Sequence, residues 1–150
     1  MGDTFTNLLV HVVFSTKHRE PLIQEPLRGR LYEYIGGVIR KDSGTQLEIG
    51  GMPDHVHILA RIKADIAVSE ALRSIKAGSS KWVHDAFPEY RRFAWQAGYA
   101  AFSVSESQVP VIRRYIRNQE QHHTKSTFKD ELIGLLRKHK IEYDERYLFD

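Results

Sequence analysis

The chain has 150 residues, with 22 Lys+Arg, 19 Asp+Glu, 8 His, no Cys and a formal net charge of +3. That length suits one domain with a real core, and 41% apolar with 11% aromatic residues argues against wholesale disorder. The lack of Cys excludes disulfides, thiolate zinc sites and cysteine nucleophiles; with no apolar run near the ~20 residues of a membrane span and no secretory signal in the first seven residues, a cytoplasmic protein without membrane contact is expected.

Residues 7–15 (NLLVHVVFS) are β-branched and apolar, the pattern of a central strand. Residues 22–41 carry Leu27, Leu31, Tyr34, Ile35 and Val38 at helical spacing, with Gly36-Gly37 weakening the end. A second strand follows over 45–50. A tight turn at Gly51-Met52-Pro53-Asp54 leads into a third over 55–62. Residues 69–87 form a second helix that Pro88 ends. A fourth strand is predicted over 93–104, with Gly98 as a break point. Ser105-x-x-Gln108 reads as a capping box with Pro110 in the first turn of a helix running to about Gln121, and Thr127-x-x-Asp130 opens a last helix to about Lys140. The order β-α-β-β-α-β is the split pattern of a ferredoxin-like α+β fold, one antiparallel sheet with two helices on one face, here followed by two additional C-terminal helices. A single domain over 1–150 is expected, with a core of about 5–123 and an extension of about 124–150.

Charge is uneven. Residues 111–140 hold eight Lys/Arg against three acids, whereas the last ten hold four acids and one Arg. A basic stretch raises local anion affinity, although such runs are also ordinary solvated helix faces.

On the third strand Val56, Ile58, Ala60 and Ile62 point one way, and His55, His57, Leu59 and Arg61 the other. His55 and His57 share a face and can reach one metal ion; the turn before them puts the pair where the strand emerges beside solvent. Idle exposed His-x-His pairs are also common. Tyr115 and Gln119 sit four apart on the third helix. A phenol can act as a nucleophile and an amide oxygen can bind a hard metal, but Tyr115 could equally pack with Ile112 and Ile116. His11 reads as a buried, hydrogen-bonded ring, and His122-His123 as a solvated helix end.

The stretches LVHVVFSTKHRE (9–20), GMPDHVHIL (51–59), SEALRSIKAGSSKWVHDAFP (69–88), WQAG (95–98) and YIRNQ (115–119) together resemble the single-tyrosine HUH transposases of bacterial insertion sequences, including the REP-associated tyrosine transposases. The resemblance spans nearly the whole chain, tail included. It implies that His55, His57 and Gln119 bind one divalent ion, Mg²⁺ or Mn²⁺, and that Tyr115 is the catalytic nucleophile. It further implies cleavage and rejoining of single-stranded DNA near hairpins through a 5′-phosphotyrosine link. A bacterial homodimer is implied, with active sites that two subunits could share. An exposed sheet face that one chain does not cover would agree with a dimer. Arg113, Arg114, Arg117, Lys17, Arg19, Lys76 and Lys81 are the candidate DNA phosphate contacts. Metal and arginines together would favour the Tyr115 phenolate over a phenol of ordinary pKa near ~10. Two other readings stand beside this one: a domesticated relative that binds or processes repeated hairpin DNA, and a non-catalytic single-strand nucleic-acid module that stacks bases on an exposed sheet.

Overall fold

The structure, a computed structural model, describes residues 2–150. Four strands, β1 (Leu8–Ser15), β2 (Gly44–Met52), β3 (His55–Ile62) and β4 (Ala100–Val104), form one antiparallel sheet in the order β2-β3-β1-β4. Helix α1 (Leu27–Asp42) joins β1 to β2, and α2 (Val68–Ala86) joins β3 to β4. This is the split β-α-β arrangement, with β3 inserted between β1 and β2. Three further helices follow: α3 (Val109–Arg117), α4 (Gln119–His122) and α5 (Phe128–Lys138).

Alternation along the strands sorts the side chains into two layers. Val12, Phe14, Val56, Ile58, Ala60 and Ile62 meet α1 and α2 in the main core, where Leu27, Leu31, Ile35 and Ile39 are fully buried. Each such side chain contributes roughly 1.5–3 kcal/mol by leaving water. On the other face Val13 and Phe102 meet Phe128, Leu132 and Leu136 of α5 in a smaller cluster.

This second face corrects the sequence reading. His55 and His57 are fully buried rather than beside solvent. The C-terminal helices of the same chain cover the face, which removes the exposed-sheet argument for a dimer and leaves no open platform for stacking bases.

Local boundaries differ for identifiable reasons. Helix α1 begins at Leu27, not Leu22, because a residue before proline is pushed out of the helical region and Pro26 intervenes. Residues 93–98 are irregular. They touch the sheet by one bridge between Thr16 and Trp95, and the Gln96 side chain takes the Ser15 N–H at 2.7 Å where a strand carbonyl would sit. The box at Ser105 does not form: Gln108 N–H donates to the Ser105 carbonyl at 2.9 Å, and a short 3₁₀ turn precedes α3. The third helix does not run unbroken to Gln121; Asn118, at φ −97° and ψ 24°, separates α3 from α4. Thr127 does cap α5, its hydroxyl accepting the Asp130 N–H at 3.1 Å.

Candidate metal and tyrosine site

The site forms where β3, α3, α4 and α5 meet. The Met52–His55 turn starts β3 in register, His55 opposite Ser15 and His57 opposite Val13. Helix α3 lies hard against β2. A Cβ on Gly50 would fall 2.6 Å from the Ile116 carbonyl oxygen, so glycine permits this approach. With Ile116 anchored there, Tyr115 and Gln119 face the histidines.

Both imidazoles are oriented from behind. Asp54 Oδ1 lies 2.7 Å from His55 Nδ1, and His11 Nε2 lies 2.9 Å from His57 Nδ1. Each leaves its Nε2 facing a common point, as outer partners do around metal ligands. Phe128 stacks on the His55 ring at 4.0 Å between centroids and seals that side.

At the common point stands Glu131 of α5, its carboxylate almost wholly buried. Its Oε1 is 3.0 Å from His57 Nε2, 3.3 Å from His55 Nε2 and 3.1 Å from His123 Nε2. Its Oε2 accepts from Gln119 Nε2 at 2.9 Å and from the Tyr115 hydroxyl. Gln119 Oε1 completes the cluster, 3.0 Å from His55 Nε2. The His122 Nε2 is 3.4 Å from Glu131 Oε2 but makes no hydrogen bond.

These contacts fix the electrostatics. Burial alone would push the His55 imidazolium down; bonding to Asp54 and Glu131 outweighs it and holds the pKa at about 9. Burial holds His57 below the usual range against the pull of Glu131. His11, buried and beside His57, is lowered to about 3 and stays neutral. Burial would raise Glu131, but His55, His57 and Tyr115 bond to it and keep it far below the usual carboxylate range. Burial and then the Glu131 charge raise the Tyr115 phenol well above its usual range. The expectation that metal and arginines together favour the phenolate therefore rests on the ion, because among the protein groups it is the Glu131 carboxylate, not an arginine, that the phenol faces.

The donor set fits a divalent ion. The ligand atoms of His55, His57 and Glu131 all lie within 4.8 Å of one another, and Gln119 Oε1 joins them 3.0 Å from His55 Nε2. Imidazole suits Mn²⁺ and the oxygens suit Mg²⁺ or Mn²⁺.

The predicted DNA contacts divide. Arg114 is exposed in a cleft shared with Tyr115, His122 and Lys125. Arg19 lines a second cleft with Asp54, His123 and Lys125. The loop at 124–126 separates the two. Arg113 is half-buried on α3, and Lys17 is exposed in the loop after β1. Arg117 is tied to Glu48 at 3.0 Å. Lys76 and Lys81 are not brought to the site: α2 lies on the opposite face of the sheet. The Lys76 ammonium donates to the Ala97 and Gly98 carbonyls at 3.0 and 2.8 Å, and Lys81 pairs with Asp85 at 2.9 Å.

Two residues escaped the sequence reading. His123, expected in a solvated helix end, is nearly buried and faces Gln119 and Glu131. Glu131 was only one acid in a basic stretch. Its signal was present: it falls three residues after Phe128, on the apolar side of α5 with Leu132 and Leu136, where a carboxylate needs a partner.

Residues 4–119 match the family described as Transposase IS200 like. The chain is 22% identical over 114 residues to the ISDra2 transposase TnpA of Deinococcus radiodurans, covering 73% of this chain and 81% of that protein. It is 27% identical over 128 residues to the transposase for insertion sequence element IS200 of Salmonella typhimurium, covering 79% and 81%. A solved structure described as a transposase from Deinococcus radiodurans superposes with a TM-score of 0.63 at 22% identity, over 79% of this chain and 96% of that one. A REP-associated tyrosine transposase bound to a REP hairpin gives 0.59 at 16% identity, over 100% and 93%. At these identities the two structures speak for the shared fold.

Proposed function

The chain belongs to the IS200-like transposase family, and we propose that it is a metal-dependent single-stranded DNA endonuclease and strand transferase working through a 5′-phosphotyrosine intermediate. The observation that carries this reading is the meeting of the Tyr115 hydroxyl, the two β3 imidazoles and the Gln119 amide on one buried carboxylate. His55, His57 and Gln119 would hold the ion, Mg²⁺ or Mn²⁺. When bound, it would neutralise charge developing on the scissile phosphate.

The remaining work falls to the protein. Tyr115 Oη forms the new bond to phosphorus as the bond to the 3′ oxygen breaks. The phenol gives up its proton, and the departing strand gains one to end as a 3′ hydroxyl. A 3′ hydroxyl attacking the phosphotyrosine reverses the step, so rejoining needs no nucleotide cofactor. Asp54 and His11 hold the two imidazoles in orientation, and Phe128 keeps water off the His55 side.

The substrate class is hairpin-bearing single-stranded DNA, supported by the relative solved with a REP hairpin. Arg114, Arg113, Lys17 and Arg19, with Lys125, would contact its phosphates. The basic residues of α2 face away and have no such role. A homodimer remains the proposed assembly. Because one chain supplies Tyr115, Gln119 and both histidines, each protomer would carry a complete site. Mixing Tyr115→Phe with His57→Ala chains should therefore not restore cleavage in proven heterodimers.

The direct test incubates the protein with Mn²⁺ and single strands carrying a hairpin, labelled at one end or the other. A 3′ label should move onto the protein in a denaturing gel, a 5′ label should leave as a free fragment, and chelator should stop both. Cleavage that leaves no label on the protein would contradict the mechanism.

A further inference from the structure

The site's groups meet on Glu131, yet the reaction just described gives its carboxylate no step, and the residue lies beyond the matched segment, which ends at Gln119. Its carboxylate is almost wholly buried, and its ion-pair partners are His55, His57, His122 and His123. Among the described residues no lysine or arginine pairs with it. A buried carboxylate needs a cation, and here only titratable rings, or an ion held by them, can supply one.

We propose that Glu131 is a fourth ligand of the divalent ion, so that helix α5 completes the metal centre; this rests on the reading that His55, His57 and Gln119 hold that ion. Three observations support it. The first is spacing. Ligand atoms at right angles around an ion, each ~2.1 Å from it, lie about 3.0 Å apart. Glu131 Oε1 stands 3.0 Å from His57 Nε2 and 3.3 Å from His55 Nε2, and His55 Nε2 stands 3.0 Å from Gln119 Oε1. The carboxylate oxygen therefore has the spacing of a ligand among ligands.

The second is charge. Two neutral imidazoles and an amide would leave a buried ion with its full double charge, and Glu131 cancels half of it. An anionic oxygen also makes the set a better match to a hard ion than imidazole alone. The third is rigidity. The Thr127 cap and the buried Phe128, Leu132 and Leu136 fix α5 against the sheet, so the carboxylate is held by an ordered element rather than a loop. Its other oxygen, bonded to Tyr115, ties the nucleophile to the same centre.

The test measures Mn²⁺ affinity of the full chain, without DNA, from the electron paramagnetic resonance signal of the free ion. Glu131→Gln should weaken binding at least about tenfold, the lower end of what even outer-shell partners of a metal contribute. His57→Ala should weaken it further. If Glu131→Gln binds as well as the wild type or more tightly, while His57→Ala loses the ion, the carboxylate is no ligand and the histidine site stands alone. If His57→Ala also binds normally, the site reading itself has failed. A second measurement needs no variant. With glutamate ¹³C-labelled at its side-chain carboxylate, Mn²⁺ should shift a label-sensitive carboxylate stretch in the infrared difference spectrum of the wild type. No shift at saturating Mn²⁺ would overturn the proposal.

Discussion

The two faces of one sheet carry opposite burdens. Facing α1 and α2, β1 and β3 present Val12, Phe14, Val56, Ile58, Ala60 and Ile62 to a core that is predominantly apolar. One residue along each strand, the other face presents His11, His55 and His57 to Tyr115, Gln119, His123 and Glu131. Both faces are buried at their centres, but the second opens at Tyr115, which is half-buried and lines a cleft with Arg114 and Lys125; burial serves stability on one face and the positioning of polar groups on the other. The difference lies in directionality: apolar contacts tolerate repacking, whereas the polar cluster works only if each donor meets its acceptor.

The sharpest separation of the faces comes from paired substitutions. Tyr115→Phe should remove all detectable covalent adduct and cleavage, yet cost only about 1.5–3 kcal/mol of stability, the worth of one hydrogen bond to a charged group. Ile58→Ala on the opposite face should cost about 2–5 kcal/mol through the cavity it opens, with cleavage by the surviving folded fraction unchanged. Urea melts beside gel assays on the same preparations check both. Loss of cleavage in folded Ile58→Ala would blur the division.

Next in size is DNA binding. Replacing Arg114 and Lys125 by Glu should weaken single-strand hairpin binding by at least about tenfold and flatten its salt dependence. Lys81→Glu, on the α2 side, should leave both unchanged. Fluorescence anisotropy across a salt series reads this, and an equal effect of the Lys81 change would move the DNA path to the wrong face.

The apolar face was legible from period-two strands and helical spacing, since each residue there needs only the right polarity at the right interval. The β3 alternation assigned both faces correctly. What single-element patterns could not carry was the lid. His57 and Glu131 are 74 residues apart and meet only because α5 folds back over the sheet. The His pair thus read as exposed, and Lys76 and Lys81 read as available cations because nothing in their helix says which side of the sheet it covers. Spacing alone left the histidines, tyrosine and glutamine open between idle and functional roles, and it was the family resemblance that singled out the four residues that meet here; Glu131 was hidden by its acidic neighbour Asp130 and by the lack of any partner nearby in sequence.

A smaller effect distinguishes the faces by pH. His11 faces His57, Tyr115 and Phe102, with Glu131, Lys138 and His139 close enough to act on its charge. Its folded pKa of about 3 lies below the unfolded value of 6.5. Below pH 6.5 the unfolded chain therefore takes up a proton that the folded chain refuses, and stability falls by up to about 1.4 kcal/mol per pH unit. His55 works in the opposite sense: raised to about 9, its contribution is complete below pH 6.5 and is lost as pH rises through 9. Between pH 7 and 5, His11→Gln should lose about 1–2 kcal/mol less than the wild type in urea melts; equal losses would show that His11 titrates normally.

The central claim is that the buried polar face is a single centre in which Tyr115 takes up DNA. Tandem mass spectrometry of the peptide that carries nucleotide after Mn²⁺-dependent cleavage tests it most directly. The account predicts a 5′-phosphonucleotide on Tyr115 alone among the seven tyrosines, absent from the Tyr115→Phe protein. Nucleotide on any other residue, or cleavage that persists in the Phe variant, would contradict it.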